Sequence, residues 1–211
     1  MKFLNSITTL CIGAHPDDVE YGMVGTFSKC TDTDFVVLVM SDGGDWDKTT
    51  TYNDRKKENE NVWDMFPNVT GLLGNNQDFV KDQPEDDMIN FIETNLSDYY
   101  FDTIVTTPQE DSHFEHRMIN YLGPALCRRD PKTLIEYRTP STLNHWIPNH
   151  FEPLEPYDYE VKKAALRKFT SQQKAPYFKE KCIDSFHHNF LCSKRGLVRV
   201  ESFRIVESYS I

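Results

Sequence analysis

His15 and Asp18 lie three residues apart, directly after an apolar run at 7–13 that is typical of a buried strand. Pro16 and Asp17 stand between them. Proline fixes its own φ angle and disfavours helical geometry at the preceding residue, so the chain can turn from strand into helix between His15 and Asp18. An imidazole beside two carboxylates is the chemistry of a metal-dependent hydrolase. We therefore expect His15 and Asp18 to face one point.

A second candidate segment is the loop at 108–116, where His113 and His116 are also three residues apart. That spacing is about one helical turn, so one or both imidazoles could join His15 and Asp18. Two imidazoles and a carboxylate, with positions left open for water and substrate, form the recurrent catalytic zinc arrangement. Bound zinc lowers the pKa of its water to about 7 and polarises a carbonyl oxygen, which favours hydrolysis of an amide.

The other two polar side chains of these segments match the remaining needs of amide hydrolysis. Asp17 can act as the general base for the water and then protonate the leaving amine. His113, if cationic, can stabilise the developing oxyanion. Each motif alone is more typical of an ordinary turn or a solvated helix face, and Asp18 alone of a helix N-cap. The hypothesis depends on both motifs following strands of the same sheet.

Strand-like and helix-like segments alternate along the chain, which predicts an α/β fold with a Rossmann-like, mostly parallel sheet and helices on both faces. Ligands of such sheets bind outside the carboxyl ends of the strands, where the two candidate segments would meet. Gly22 and Gly25 are expected to pack closely against the sheet, and Asp158 to cap a helix. Strands are expected at 8–13, 34–40, 69–73, 103–107 and 133–137, and a terminal strand or hairpin at 197–206. Helices are expected at about 19–30, 51–65, 86–96, 115–127 and 158–172.

The length of 211 residues suits one compact domain that spans 1–211. Within it, the stretch at 139–156 contains Pro140, Pro148 and Pro153. Prolines at such intervals exclude a regular helix or a central strand. We expect this stretch to be an irregular loop on the substrate side.

Charge and composition exclude several classes of function. The 33 acidic residues outnumber the 23 basic ones and give a net charge of −10, which would repel nucleic acid and anionic membranes. The longest apolar stretches fall far below the ~20 residues of a membrane span, and no secretory signal is evident, so a cytoplasmic location is expected. The five cysteines form no C-x-x-C pair, which argues against a disulfide framework or a thiolate zinc site.

Residues 13–20 and 111–116 resemble the zinc-dependent N-deacetylases of the LmbE-like, or PIG-L, family, which includes the deacetylases of mycothiol and bacillithiol synthesis. The similarity covers most of the chain, with further matches at 41–45, 55–58, 162–172 and 201–203. The resemblance implies the LmbE-like fold and a zinc ion held by His15, Asp18 and His116. It also implies that Asp17 is the general base and that His113 stabilises the tetrahedral intermediate.

This chain departs from the family at Phe114 and Glu115, where members usually have Pro-Asp between the two histidines. The family's acidic residue at this point would orient His113, and a glutamate reaches one methylene further. The resemblance therefore leaves the role of Glu115 open.

The resemblance implies removal of the N-acetyl group from an amino sugar of the N-acetylglucosamine type, in a small soluble conjugate. The expected metal is zinc, with another divalent ion such as Fe²⁺ as the alternative. Nucleic acid and membrane partners are not expected, and the oligomeric state stays open. The candidate substrate-binding residues are Arg55, Asp45, Trp46, His145 and Trp146.

Two other functions fit parts of the same pattern. A non-haem iron oxygenase also uses two histidines and one carboxylate, although it needs no second carboxylate such as Asp17 beside the ligand. A catalytically silent protein that binds a sugar or a metal would also retain the fold. The presence of Asp17 and His113 beside all three expected ligands favours the enzyme.

Overall fold

The structure is a computed structural model that describes residues 1–41, 43, 49–74, 85–128, 133–189 and 198–207. The strands in this part of the chain are β1 (Thr8–Gly13), β2 (Asp34–Val39), β3 (Val69–Leu73), β4 (Thr103–Thr106), β5 (Thr133–Tyr137), β6 (His150–Leu154), β7 (His188–Asn189) and β8 (Val198–Glu207). The helices are α1 (Asp18–Lys29), α2 (Tyr52–Trp63), α3 (Glu85–Asn95), α4 (Phe114–Cys127), α5 (Pro156–Leu166) and α6 (Glu180–Phe186). None of these helices combines the length and apolarity that crossing a bilayer requires.

These strands form one sheet in the order β3-β2-β1-β4-β5-β8-β6, with β7 paired to β8. Strands β1 to β5 run parallel to one another, whereas β8 is antiparallel to β5, β6 and β7. The predicted Rossmann-like, mostly parallel sheet is confirmed. Because β1 and β4 are neighbours, their carboxyl ends place the two candidate segments side by side.

Alternate residues of each inner strand enter two separate cores, one on each face of the sheet. On β1, Cys11 packs with side chains of α1, α2 and α5, whereas its neighbours Leu10 and Ile12 pack with side chains of α3 and α4. This two-sided burial explains why the inner strands are continuous apolar runs rather than alternating ones. The predicted placement of helices on both faces is confirmed.

Two glycines of α1 allow the helix to lie close to the sheet, as predicted. A Cβ atom at Gly22 would lie 2.4 Å from a ring carbon of Tyr137, and one at Gly25 would lie 2.5 Å from a methyl of Leu154. Neither distance is compatible with a side chain at these positions. The close approach fixes the height of α1 above the sheet, and therefore the position of Asp18 at its first turn.

A buried ion pair ties α1 to the last strand. Lys162 and Glu201 are both fully buried and form a salt bridge. Glu201 also accepts hydrogen bonds from the backbone N–H groups of Gly25, at 2.8 Å, and Thr26, at 2.7 Å. The carboxylate is thereby satisfied on several sides, as burial of a charge requires. The two segments that match the family at 162–172 and 201–203 are therefore joined by a buried ion pair.

Three predictions about the second half of the chain were wrong. The stretch 139–156 is not irregular throughout, because 150–154 forms β6, a strand at the sheet edge where Pro153 is tolerated. Helix α5 begins at Pro156 with Glu155 as N-cap, so Asp158 is not the cap. That helix ends at Leu166, and only a short 3-10 turn, Thr170–Gln172, lies in the remainder of the range expected to be helical.

Candidate metal centre and active site

The ends of β1 and β4 bring the predicted residues together at one edge of the sheet. One ligand nitrogen from each of His15, His113 and His116 lies within 4.8 Å of the others. The Oδ2 atom of Asp18 lies 3.2 Å from Nε2 of His116 and 3.3 Å from Nδ1 of His15. Asp17 is the residue before Asp18 and is also buried. The convergence inferred from the two motifs is therefore present in the tertiary structure.

The turn between β1 and α1 places two adjacent carboxylates in different roles. Asp17 adopts φ 116° and ψ −22°, a left-handed conformation that costs free energy for a residue with a side chain. Asp18 then begins α1, and its Oδ2 accepts a hydrogen bond from the backbone N–H of His15 at 2.8 Å. The turn directs the Asp18 carboxylate at the histidines and leaves Asp17 beside them.

Helix α4 presents the second pair of histidines at its first turn. His113 is the N-cap residue, and its backbone N–H donates to Oδ1 of Asp111 at 2.8 Å. The side chain of His113 is 47% exposed, whereas that of His116 is 5% exposed. His113 therefore lies at the open side of the site and His116 at its floor.

Asp111 orients His116 from behind, a role that sequence reasoning did not assign. Its Oδ2 lies 3.1 Å from Nδ1 of His116 and accepts a hydrogen bond from Oγ1 of Thr139 at 2.7 Å. The hydroxyl of Ser141 also lies 3.1 Å from the same Nδ1. A carboxylate behind a histidine fixes its tautomer and raises its basicity as a ligand. An acidic residue two positions before His113 was the signal available for this role.

Glu115 contacts His15 rather than acting on His113 alone. A carboxylate oxygen of Glu115 is hydrogen-bonded to Nε2 of His15 and lies 3.7 Å from Nδ1 of His113. The adjacent Phe114 is 55% exposed. The glutamate thus reaches from α4 to His15, which follows β1. The role of Glu115, which the resemblance left open, therefore includes a hydrogen bond to His15.

The carboxylates around the histidines favour positive charge at this point. Burial lowers the pKa of His15, but hydrogen bonds with Asp18 and Glu115 outweigh it and raise the pKa to about 9. Burial likewise lowers the pKa of His116, but Asp18 and Asp111 outweigh it and raise the pKa to about 10. Burial tends to raise the pKa of Asp18, but His116 and His15 hold it well below its usual range. A site that stabilises imidazolium in this way also suits a metal cation.

The donor set fits a divalent transition metal. Imidazole nitrogens and a carboxylate oxygen are the ligands that zinc and non-haem iron take in catalytic sites. Asp18 lies between His15 and His116, and both histidines have carboxylates on their far sides. The group of three histidines could hold the ion, with Asp18 within reach. That His15, Asp18 and His116 are the ligands stays a prediction.

Arg55 does not face the open side of the site. Its side chain is 3% exposed and belongs to α2, where it hydrogen-bonds the carbonyl oxygen of Pro16 and Oδ2 of Asp17, the latter at 3.3 Å. Arg55 also forms an ion pair with Glu58, with 3.7 Å between Nη1 and Oε2. The structure therefore places Arg55 behind the Asp17 turn, and its contact with substrate stays a prediction.

The other predicted substrate-binding residues are not brought to the histidines by any described contact. His145 is exposed on the loop before β6. Trp146 is 5% exposed, and its indole N–H donates to Oε2 of Glu136 at 3.0 Å, so its ring is a packing element. Asp45 and Trp46 lie outside the described residues. The loop that carries His145 and Trp146 reaches the site instead through Ser141.

Residues 10–127, more than half of the chain, match the family model of PIG-L, the GlcNAc-PI de-N-acetylases. This chain belongs to the PIG-L family. The matched region includes both histidine segments, β4 and most of β1. The PIG-L family is a family of deacetylases, so the enzyme class predicted from the two motifs agrees with the family of the whole chain.

Individual relatives agree with this membership. The uncharacterized deacetylase YaiS of Escherichia coli strain K12 is 28% identical over 169 residues, which cover 77% of this chain and 90% of that protein. Among solved structures, the N,N'-diacetylchitobiose deacetylase of Pyrococcus horikoshii aligns with a TM-score of 0.69 and 21% identity, over 97% of this chain and 85% of that one. At such identity the likeness shows the fold.

The same fold also carries a different reaction. The 4-carboxy-2-hydroxymuconate hydratase GalB of Pseudomonas putida KT2440 aligns with a TM-score of 0.75 and 12% identity, over 100% of this chain and 98% of that one. A shared fold therefore does not decide the chemistry, which has to be argued from the site.

Proposed function

We propose that this PIG-L family member is a metal-dependent hydrolase that removes the N-acetyl group from an amino-sugar conjugate. One observation carries the proposal: Asp18 lies between His15 and His116, and a second carboxylate, Asp17, stands beside it. A metal ligand and a base on adjacent residues serve the two needs of amide hydrolysis, a polarised carbonyl and a deprotonated water. An oxygenase has no use for the second carboxylate.

We assign the metal to His15, Asp18 and His116. When bound, a divalent ion would supply a Lewis acid that polarises the acetyl carbonyl and acidifies water. Zinc is the ion proposed, and Fe²⁺ is the alternative that the same donor set accepts. Asp111 and Glu115 would hold the two imidazoles in orientation by their hydrogen bonds.

Asp17 is proposed as the general base. Burial raises its pKa to about 6, and the guanidinium of Arg55 opposes that rise. A base with a pKa near the working pH can both take a proton and return it. Asp17 would accept a proton from the attacking water and deliver it to the nitrogen of the amide. The C–N bond then breaks, and the products are acetate and a primary amine.

His113 is proposed to stabilise the oxygen of the tetrahedral intermediate. It lies at the open side of the site, and its ring centroid is 4.7 Å from that of His15 and 4.8 Å from that of His116. An imidazole has an N–H group to donate in either protonation state, so the role does not depend on its charge. A hydrogen bond to oxygen that strengthens as charge develops lowers the barrier.

The substrate class is inferred from the family and from one structural relative. The family model describes de-N-acetylation of GlcNAc-PI, and the relative from Pyrococcus horikoshii acts on diacetylchitobiose. Both compounds contain N-acetylglucosamine. We therefore propose an N-acetylglucosamine-type conjugate for this chain, in a small soluble molecule, and a cytoplasmic location. The net charge of −10 is the argument against a nucleic acid partner.

A panel assay tests the proposal. Purified protein is incubated with N-acetylglucosamine glycosides and, as controls, N-acetylated amino acids, and release of primary amine is measured with chelator and with added zinc or Fe²⁺. We expect amine only from the sugars and only with metal. Release from no acylated sugar while metal is bound would favour a silent binding protein. Oxidised products formed only with Fe²⁺ and O₂ would favour the oxygenase.

A further inference from the structure

Arg55 holds both the backbone and the side chain of the Asp17 turn. One of its terminal nitrogens, Nη2, donates to the carbonyl oxygen of Pro16 and to Oδ2 of Asp17, the latter at 3.3 Å. The carbonyl of Pro16 belongs to the peptide that enters Asp17. A single guanidinium nitrogen therefore contacts the peptide before the proposed base and the carboxylate of that base.

The other side of the guanidinium is held by a second segment of the chain. Nη1 of Arg55 donates to Oγ of Ser171 at 3.0 Å. Glu58, one turn along α2, accepts hydrogen bonds from Oγ1 of Thr170, and from the backbone N–H and Oγ of Ser171, each at 2.7 Å. Glu58 thus holds the 3-10 turn at 170–172 against α2. Ser171 of that turn accepts the hydrogen bond from Arg55.

The conformation of Asp17 explains why such support is needed. Its φ of 116° is one that residues with a side chain rarely adopt, and it persists only where surrounding contacts fix it. Gly43 also packs on the same turn, because a Cβ atom there would lie 3.3 Å from Cδ of Pro16 and 3.6 Å from Nη2 of Arg55. The turn is therefore in contact with both Gly43 and the guanidinium.

We propose that Arg55 is a positioning residue for the base Asp17, and that Glu58 and Ser171 hold its guanidinium in place. The inference rests on the proposed function, in which Asp17 takes the proton of water. The guanidinium is buried, and its hydrogen bonds point to the chain rather than to the open side at His113. Lysine cannot reproduce this arrangement, because an ammonium lacks the planar fork.

The test compares Arg55→Gln, Arg55→Lys and Ser171→Ala with Lys56→Gln. Lys56 neighbours Arg55 on α2, but its side chain is 46% exposed and pairs with Glu60 at 3.8 Å. For Arg55→Gln we expect kcat to fall about 100-fold with KM and metal content nearly unchanged, because misplacing a catalytic group by about 1 Å costs that much. Ser171→Ala should lose less, Arg55→Lys should recover little, and Lys56→Gln should match the wild type.

Two kinetic results would overturn the proposal. A raised KM with unchanged kcat in Arg55→Gln would show that Arg55 binds substrate directly. Additive losses in Arg55→Gln/Asp17→Asn would show that Arg55 does not act through Asp17, since residues that work as a unit are non-additive. If Arg55→Gln fails to fold, Ser171→Ala, which only deletes a hydroxyl, takes its place and is combined with Asp17→Asn.

The structure of the variant separates this inference from the proposed function. If the wild type releases no amine from any sugar, the proposed function has failed. A crystal structure of metal-loaded Arg55→Gln then decides the positioning role. Movement of the Asp17 carboxylate by about 1 Å or more, or loss of its positive φ, would support that role. An unchanged Asp17 turn would overturn it.

Discussion

His15 is hydrogen-bonded through Nε2 to the carboxylate of Glu115, a residue 100 positions later in the chain. The other ring nitrogen, Nδ1, lies 3.3 Å from Oδ2 of Asp18. The contact joins the end of β1 to the first turn of α4. It leaves Nδ1 of His15 beside Asp18, another proposed metal ligand, and it fixes the orientation of the ring.

Removal of this contact should weaken metal binding. For Glu115→Ala we expect the affinity for zinc to fall about 10–100-fold, since partners of ligand histidines commonly contribute that much. Glu115→Asp should fall between the wild type and Glu115→Ala. Affinity is measured by competition with a chromogenic chelator. The control is Glu160→Ala, a glutamate whose side chain is 65% exposed. Unchanged affinity in Glu115→Ala would contradict the assignment.

Substitutions of Asp17 and His116 should differ in their effects on metal content and on activity. Asp17→Asn removes the base without removing a proposed ligand, so we expect full metal content and activity reduced by about 100-fold or more. His116→Ala removes a ligand, so both metal and activity should be lost. Metal content by atomic emission and initial rates on the same preparation measure the two effects. A fully active Asp17→Asn would refute the assignment of the base.

The buried pair Lys162–Glu201 should be costly to break. Glu201→Gln leaves a buried ammonium without its partner charge, and we expect unfolding free energy to fall by about 3–5 kcal/mol. The matched control is Glu160→Gln, which removes an exposed partner of Lys163 while Glu180 remains, and it should cost less than about 1 kcal/mol. Urea unfolding of metal-saturated protein measures both. Equal losses would show that burial does not set the cost.

His187 should make stability decline in mild acid. Burial, with Lys162, Arg138 and Arg199 nearby, holds its pKa well below 6.5, and its Nδ1 lies 3.1 Å from the carbonyl oxygen of Val200. Below about pH 6.5 the unfolded chain takes up a proton at this residue that the folded chain does not. The stabilisation is therefore complete above pH 6.5 and is lost as the pH falls.

The matching variant is His187→Gln, which retains a donor for the carbonyl of Val200. Between about pH 6.5 and 5, the wild type should lose up to about 1.4 kcal/mol per pH unit relative to this variant. Chemical denaturation at a series of pH values measures the difference, in which contributions from the metal site cancel. Parallel curves for the two proteins would mean that the pKa of His187 is the same in the folded and unfolded chains.

Much of the fold was predictable because local signals agreed with the tertiary structure. The strands at 8–13, 69–73 and 133–137 were predicted with the bounds that the structure has, since each is an apolar run between turns. The edge strand at 150–154 was missed because Pro153 argues against a strand unless the strand lies at an edge. Which strands lie at edges depends on sheet order, which local patterns do not contain.

The candidate site was likewise predictable only in part from the sequence. Because β1 and β4 are parallel neighbours, the types and spacing of His15, Asp18 and His116 sufficed to predict their convergence. Two contacts around the site join distant segments of the chain: Glu115 contacts His15, and Arg55 contacts Asp17 across 38 residues. Such contacts depend on where helices dock on the sheet and on how far each side chain reaches. The sequence by itself thus determined which chemistry is available, whereas only the tertiary structure decided which side chains position it.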